Sequence, residues 1–271
     1  MNTNLEQEND ILFFGDESDI TEHVSSLRYA GMIQRALMPD AEIIKKYLKD
    51  YFVLFLPRDI VSGDFYYTFS DKKRLCIAAG DCTGHGVPGA LLSILGISFL
   101  NEVLQSCISF KPNKILNILR EKVMKALNQK GDDSLTKDSI DIALCMIDIS
   151  SGTLDFSGAN RPLFMVRDGE LIEYKGDNMT IGIAPVREKS FTNYSINLLE
   201  GDSFYIFSDG YCDQFGGVED KKFKYYRFRQ IIKSLQGMSM NRQRDVLESS
   251  FREWQGSLPQ VDDVTVIGFK F

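Results

Sequence analysis

The order of strand-like and helix-like segments limits this chain to a layered fold. Runs typical of strands cover 51–81 and 138–209, and each group is followed by two segments with helical periodicity. A last strand covers Val264 to Phe271. A regular alternation of single strands and helices, which a parallel sheet requires, does not occur in this order. We therefore predict an α+β protein with mainly antiparallel strands in the middle and helices outside.

The individual segments follow from apolar runs, alternation and turn residues. The strands are predicted at YFVLFLP, GDFYYTF, RLCIAAGD, SIDIALCMIDI, LDFSGA, PLFMVRDGELIEY with a tight Asp-Gly turn, FTNYSINL, DSFYIFSD and the C-terminal run. The helices after the first strand group are predicted from Pro88 to about Leu104 and from Pro112 through Leu127. Those after the second group are predicted at about 223–235 and 241–254.

The N-terminal region differs from the rest of the chain. Residues 1–22 carry seven acidic residues and no Lys or Arg, which is typical of a mobile segment. We predict an acidic segment at 1–22, a linker or regulatory helix at 23–39, and one globular domain at 40–271 that starts with a short helix up to Leu48.

The regulatory helix is predicted to run from a Thr21 cap to about Met38. Leu27, Ala30, Ile33 and Leu37 form an apolar stripe on one of its faces. This stripe lies outside the layered pattern. It is expected to pack on the chain's own domain or on a second copy of the chain.

Composition excludes several classes of protein. The net charge is −7, whereas binding nucleic acid through its phosphates requires a basic surface. Five cysteines without a C-x-x-C pair, and only two histidines, disfavour a thiolate zinc site and a disulfide framework and favour the cytoplasm. The acidic start is unlike a secretory signal. The longest apolar stretch, Val87 to Leu100, is shorter than the ~20 residues of a membrane helix, so we expect no membrane insertion.

Aspartates stand where apolar strands begin or end. Asp64 opens one strand, Asp81 and Asp209 each end one, and Asp262 and Asp263 open the last. One such carboxylate is an ordinary turn residue or helix cap. If the four strand ends converge, however, the carboxylates repel one another and require a cation. A ligand set of oxygens favours Mg²⁺, Mn²⁺ or Ca²⁺, and two such ions ~4 Å apart activate water and bind phosphate.

The ordered set of motifs resembles one enzyme family. VSGDFY, AAGDCTGHGVPGALLS, SGANRPLF, FSDGYCDQFGG and DDVTV are similar, in order and spacing, to the bacterial SpoIIE-type serine phosphatases. These are a branch of the protein phosphatase 2C, or PPM, superfamily, and the resemblance covers about Leu27 to Phe271. It implies a four-layer αββα sandwich with two Mn²⁺ or Mg²⁺ ions between the sheets. It also implies a protein phosphatase that hydrolyses phosphoserine or phosphothreonine without a covalent phosphoenzyme.

The resemblance also implies roles for single residues. Asp81 would bridge both ions, Asp64 and the backbone carbonyl of Cys82 would complete one ion site, and Asp209 and Asp262 would complete the other.

Four positions near these ligands keep alternatives open. Asp263 either supports its neighbour Asp262 or exchanges roles with it. The wider superfamily has a His at the position of Thr83, but here His85 lies two residues further on, where it shapes the loop or contacts substrate. A phosphate contact from Asn160 or Arg161 is chemically feasible, although a structural or solvated role is favoured for Arg161.

The family resemblance further implies partners. The substrate would be a small phosphorylated regulator, such as an anti-sigma-factor antagonist of the STAS fold. The N-terminal helix would link the phosphatase to an upstream sensor domain, often within a homodimer.

Three other hypotheses are weaker. Gly84, Gly86 and Gly89 spell G-x-G-x-x-G, but no second parallel strand follows, and Asp81 would repel a pyrophosphate. Basic and aromatic residues share the segment 221–233, which favours a helix with a packed aromatic face over a nucleic-acid site. A catalytically silent phosphatase-like binding module would be marked by lost aspartates, and none is lost here.

Overall fold

The computed structural model describes residues 17–39, 42–48, 50–71, 73–106, 111–130, 136–183 and 189–271. The helices are α1 (Glu17–Leu37), α2 (Glu42–Lys45), α3 (Gly86–Ser106), α4 (Pro112–Ala126), α5 (Gly210–Asp213), α6 (Lys224–Ser234) and α7 (Met240–Gln255). The strands up to the middle of the chain are β1 (Asp50–Leu56), β2 (Phe65–Ser70), β3 (Arg74–Cys82), β4 (Ile140–Asp148), β5 (Thr153–Ala159) and β6 (Leu163–Arg167). The remaining strands are β7 (Glu170–Tyr174), β8 (Tyr194–Asn197), β9 (Ser203–Phe207), β10 (Phe215–Gly216), β11 (Lys221–Lys222) and β12 (Val264–Lys270).

Two five-stranded sheets form the centre of the fold. Sheet A has the strand order β1-β12-β9-β6-β7, and sheet B has the order β2-β3-β4-β5-β8. Every strand pairing within them is antiparallel. This confirms the predicted fold class. It also contradicts the dinucleotide-binding hypothesis, which requires parallel neighbours.

Alternation along the strands produces three buried layers. Ile77 and Cys145 of sheet B pack against Ile206 and Ile267 of sheet A in the layer between the sheets. The other face of sheet B packs against α3 and α4, and the other face of sheet A packs against α6 and α7. Because both faces of each sheet are covered, the central strands are almost entirely buried. The αββα sandwich is therefore confirmed.

Helix α1 docks on the domain through a face other than the predicted apolar stripe. Gly31, Gln34 and Met38 are buried, whereas Ile33 and Leu37 are 45% and 43% exposed. A side chain in place of Gly31 would stand 2.7 Å from the Ile60 carbonyl oxygen, so only glycine allows this close approach. The helix also begins at Glu17, one turn before the predicted cap. Most of the acidic segment, residues 1–16, lies outside the described residues.

Helix α3 is longer than the apolar stretch suggested. In the part of the chain that the structure describes, it is the one helix with the length and mean hydropathy of a membrane span. Half of that apolar window is buried inside the fold. Its buried residues, among them Leu92, Ile97, Leu100 and Val103, belong to the core beneath sheet B, so α3 packs as a core helix.

Candidate active site

The predicted aspartates meet at one edge of the sandwich, where the ends of both sheets approach. Asp81 lies near the end of β3 in sheet B, and Asp64 directly precedes β2 beside it. Asp209 follows β9 in sheet A, and Asp262 and Asp263 precede β12, the strand paired with β9. Strand pairing therefore brings together carboxylates that are far apart in the sequence.

Arg161 joins the two sheets at this edge. Its Nη2 atom donates hydrogen bonds to Asp81 Oδ2 at 2.8 Å and to Asp209 Oδ2 at 2.7 Å. The same nitrogen lies 3.3 Å from Asp141 Oδ2. Arg161 is only 8% exposed, so the alternative of a solvated role is wrong. One guanidinium nitrogen is the common neighbour of three carboxylates.

Asp141 is a site residue that the sequence analysis missed. It lies directly opposite Asp81 in the antiparallel pairing of β4 with β3. Its Oδ1 atom accepts a hydrogen bond from Asn160 Nδ2 at 2.9 Å, and its Oδ2 atom faces Arg161. Its sequence signal is a charged residue near the start of the apolar run SIDIALCMIDI. That signal indicates a site residue only when the register of this run against RLCIAAGD is known.

A buried hydroxyl holds Asp64 in place. Ser208 Oγ donates to Asp64 Oδ2 at 2.5 Å and accepts from the Thr265 backbone N–H at 3.0 Å. Both Asp64 and Ser208 are 2% exposed. Because Ser208 directly follows β9 and Thr265 belongs to β12, sheet A fixes the position of a carboxylate that stands at the start of sheet B.

The two aspartates before β12 have different surroundings. Asp263 is buried, and its oxygens accept from the Arg58 N–H at 2.7 Å and from the Gly63 N–H at 2.8 Å. Asp262 is partly exposed, and its Oδ1 atom accepts from the Asp263 N–H at 2.8 Å. The Asp263 carboxylate is therefore used by the loop that carries Asp64, whereas the Asp262 carboxylate faces the open edge.

The electrostatics of the cluster favour a bound cation. Burial raises the pKa of Asp64 and of Asp81 well above the ordinary value. Arg161 opposes the shift at Asp81, and the charges of Asp209 and Asp262 add to it. Burial would lower the pKa of Arg161, but the charges of the carboxylates outweigh it and raise that pKa. Positive charge among the buried carboxylates therefore favours their ionised form, as the effect of Arg161 on the pKa of Asp81 shows.

Glycines allow the loops of the site to pack backbone against backbone. A Cβ atom on Gly89 would stand 2.4 Å from the Gly84 carbonyl oxygen, and one on Gly63 would stand 2.6 Å from the same oxygen. A Cβ atom on Gly210 would stand 2.0 Å from the Asp263 carbonyl oxygen. The glycines of the G-x-G-x-x-G and SDG motifs therefore bring α3 and the Asp209 turn against the Asp64 loop and the Asp263 backbone.

The remaining candidates lie around this edge. Cys82 is buried at the end of β3, and burial raises the pKa of its thiol. The Thr83 hydroxyl contacts Ser139, beside the start of β4. His85 is exposed, and its Nδ1 atom lies 3.4 Å from Asp59 Oδ2.

The basic and aromatic segment packs largely on its own domain. Phe228 of α6 is fully buried, and Arg227 lies over the Trp254 ring at 4.6 Å. Arg229 and Lys233 form ion pairs with the acidic residues of β7. This confirms the expected helix with a packed aromatic face.

The donor set fits a hard divalent cation. Carboxylate and backbone carbonyl oxygens are the ligands that Mg²⁺ and Mn²⁺ prefer. As the side chains stand among the described residues, no three His, Cys, Asp or Glu side chains form a ready coordination shell. Asp81 and Asp209 instead share the Arg161 nitrogen.

Comparisons with known proteins agree with this geometry. The family model described as Stage II sporulation protein E (SpoIIE) matches residues 71–271, close to three quarters of the chain. The chain belongs to the SpoIIE family. This SpoIIE-family chain is similar to the SiaA-PP2C domain of Pseudomonas aeruginosa, with a TM-score of 0.84 and 30% identity over 94% of this chain and 99% of that one.

Two further relatives are more distant. "Phosphoserine phosphatase RsbU" of Bacillus subtilis (strain 168) is 22% identical over 191 residues, which are 69% of this chain and 53% of RsbU. The chain thus matches about half the length of that relative. A crystal structure of RsbX in complex with magnesium shares the fold, with a TM-score of 0.55 and 15% identity over 82% of this chain and 94% of RsbX.

Proposed function

We propose that this SpoIIE-family chain is a metal-dependent protein serine/threonine phosphatase. The observation that carries the proposal is the convergence of Asp81 from sheet B and Asp209 from sheet A on one cationic position. Opposed carboxylates at the seam of two sheets are suited to hold divalent cations against a phosphoryl group. The similarity to RsbU, whose name states phosphoserine phosphatase, supports the substrate class.

The proposed ligands are those that the family resemblance implies. Asp81 is proposed to be shared by two ions, Mn²⁺ or Mg²⁺, with Asp64 and the Cys82 carbonyl on one side and Asp209 and Asp262 on the other. The magnesium bound to RsbX supports the class of ion. When bound, such ions lower the pKa of water and neutralise phosphate charge, which is the chemistry that phosphomonoester hydrolysis requires.

The second aspartate before β12 is assigned a supporting role. Both oxygens of Asp263 already accept backbone N–H groups, from Arg58 and Gly63. A carboxylate used in this way orients a ligand-bearing loop, as residues behind a metal ligand commonly do. We therefore choose Asp262 over Asp263 as the ligand. Ser208, which donates to Asp64, is a positioning residue of the same kind.

The proposed substrate is a phosphorylated regulatory protein, such as a STAS-fold anti-sigma-factor antagonist. Control by an upstream sensor domain is proposed to act through α1. The exposed apolar residues of that helix suit contact with a second copy, and they include Tyr29, Met32, Ile33 and Leu37. The unpaired state of Cys76, Cys82, Cys145 and Cys212 supports a cytoplasmic location. Deleting residues 1–38 tests the regulatory role, and unchanged activity with an unchanged oligomeric state contradicts it.

A catalytically silent binding module is not favoured, because each aspartate of the proposed centre is present at the shared edge. The discriminating assay uses metal-stripped protein with p-nitrophenyl phosphate and a phosphoserine peptide, and compares Mn²⁺, Mg²⁺ and EDTA. We expect hydrolysis that either ion restores and EDTA abolishes. Hydrolysis that survives EDTA contradicts metal dependence, and the lack of both hydrolysis and Mn²⁺ binding supports the silent module.

A further inference from the structure

Arg161 supplies the positive charge between the two sheets. A single atom, Nη2, contacts Asp81 at 2.8 Å, Asp209 at 2.7 Å and Asp141 at 3.3 Å. Two of these residues, Asp81 and Asp209, are proposed metal ligands. The guanidinium therefore occupies one oxygen of each of two carboxylates that the proposed centre would use.

The geometry of this contact differs from that of a structural arginine. Arg167 binds the buried Asp202 as a fork, with Nε to Oδ1 at 2.8 Å and Nη2 to Oδ2 at 2.5 Å. Such paired bonds use the planar shape of the guanidinium fully. Arg161 instead makes its carboxylate contacts through one nitrogen, and its Nε atom is buried without a hydrogen-bond partner. An unsatisfied buried donor has a free-energy cost, so this arrangement is poorly suited to a permanent structural pair.

The loop that carries Arg161 is nevertheless rigidly built. Asn160 has φ +56°, a left-handed conformation, and its N–H donates to the Asp177 carbonyl at 2.8 Å. A Cβ atom on Gly158 would stand 2.0 Å from the Arg161 carbonyl oxygen, and one on Gly176 would stand 2.6 Å from it. The backbone is thus closely packed on both sides. This packing fixes the backbone from which the side chain reaches the carboxylates.

An ion and this nitrogen exclude each other. Mg²⁺ binds oxygen ligands at about 2.0–2.1 Å, in the space beside the oxygens that Nη2 approaches. A divalent cation and a guanidinium bound to the same oxygen would also repel each other strongly. Metal binding to the Oδ2 atoms of Asp81 and Asp209 therefore requires the guanidinium to leave them.

We propose that Arg161 is a built-in competitor of the metal ions, whose guanidinium holds Asp81 and Asp209 until a divalent cation displaces it. The inference rests on the proposed function for the identity of the ligands. Arg161 then stabilises the metal-stripped fold, because it neutralises carboxylates that otherwise repel each other. It also sets the metal concentration at which the centre assembles.

The direct test compares wild type with Arg161→Met, which keeps an unbranched side chain and removes the guanidinium with its charge. Mn²⁺ and Mg²⁺ affinities are measured by calorimetry, and thermal unfolding is measured in EDTA. We expect the variant to bind metal at least about tenfold more tightly, because the competing positive charge is gone and charges at close range are strongly coupled. We also expect the variant to have a lower Tm in EDTA. Arg74→Met is the matched control. Arg74 forms an ion pair with Asp71 at the start of β3, and its loss is expected to leave metal affinity unchanged.

The outcomes separate this inference from the proposed function. Metal binding of equal or weaker strength in folded Arg161→Met overturns the inference alone. If neither wild type nor variant binds Mn²⁺, the proposed centre and the competitor role both fail.

A second measurement is made on wild type and uses a variant only to assign one signal. The Nε–H resonances of ¹⁵N-arginine are followed in wild type during Mg²⁺ titration, and the Arg161 signal is assigned from its loss in Arg161→Lys. We expect that signal to shift in proportion to Mg²⁺ saturation while the Arg74 signal stays in place. An Arg161 signal that does not move as calorimetry reports Mg²⁺ binding overturns the inference.

Discussion

Gln34 and Ser62 exchange two buried hydrogen bonds across the junction between α1 and the loop that carries Asp64. Gln34 Nε2 donates to the Ser62 carbonyl at 2.5 Å, and the Ser62 N–H donates to Gln34 Oε1 at 3.0 Å. Gln34 Nε2 also lies 2.8 Å from Ser93 Oγ in α3. The N-terminal helix is thus bonded to backbone only two residues from a proposed metal ligand, which gives the regulatory hypothesis a physical contact.

Replacing Gln34 by alanine is expected to loosen this junction. The buried Ser62 N–H loses its partner, and the Ser62 carbonyl keeps only the Ser93 hydroxyl at 3.4 Å, so the free energy of unfolding should fall by about 1–3 kcal/mol. Urea denaturation followed by circular dichroism measures the change. Arg35→Ala, on the exposed neighbouring position, is the control and should change little. Equal stabilities of Gln34→Ala and wild type would show that the contact does not hold the helix.

Variants of Asp262 and Asp263, the two aspartates before β12, should differ in stability and in Mn²⁺ binding. Asp263→Asn places an amide donor against the Arg58 or Gly63 N–H, so we expect a loss of about 2 kcal/mol in unfolding free energy. Asp262→Asn should keep the stability and weaken Mn²⁺ binding by at least about tenfold. Urea denaturation and calorimetry on both variants test the assignment. The opposite pattern would make Asp263 the ligand.

The stability of the metal-stripped protein should depend on Asp64. Burial, and then the charge of Asp81, raise the pKa of Asp64 well above its ordinary value. The folded state therefore holds this proton more tightly than the unfolded chain. Its contribution is present below the ordinary carboxyl pKa and is lost as the pH rises through the raised folded pKa. In EDTA we expect Tm to fall between pH 5 and pH 8.

Asp64→Asn should remove much of that pH dependence and raise Tm at pH 8 by at least about 2 °C. Asp245→Asn, on the exposed surface of α7, is the matched control. Differential scanning fluorimetry over this pH range provides the comparison. An Asp64→Asn curve parallel to that of wild type would contradict a raised pKa of Asp64 in the folded state.

The described thiols should resist modification until the chain unfolds. Cys76, Cys82, Cys145 and Cys212 are buried, and burial raises the pKa of each. In a Cys107→Ser background we expect fewer than about one thiol per chain to react with a disulfide reagent at pH 8, because thiolates are the reactive form. All four should react in guanidinium chloride. Rapid reaction in the native protein would show an opening of the core.

Local patterns carried most of the fold prediction. Runs such as RLCIAAGD and DSFYIFSD are apolar and bounded by turn residues, so their strands β3 and β9 follow directly from the sequence. The face through which α1 docks on the domain could not be predicted from the apolar pattern of the sequence. Its contacts with the domain are made by Gly31 and the polar Gln34, which carry no apolar signal, while the apolar Ile33 stays exposed.

Only part of the site could be predicted, because some of its residues carry no local sequence signal. Aspartates at strand ends can be recognised in the sequence because they interrupt apolar runs. Asp141 required the register of β4 against β3, which depends on long-range pairing. The position of Arg161 depends on a tight loop that closes between the sheets, and nothing in SGANRPLF specifies the direction of its side chain.

The central claim is that Asp81 organises a metal centre that hydrolyses phosphoserine. The most direct measurement is phosphate release from a phosphoserine peptide by Mn²⁺-loaded wild type and Asp81→Asn, with folding of both checked by circular dichroism. We predict a loss of at least roughly 10²-fold in kcat/KM for the variant, because charge stabilisation worth several kcal/mol is removed. Folded Asp81→Asn with turnover close to that of wild type would contradict the account.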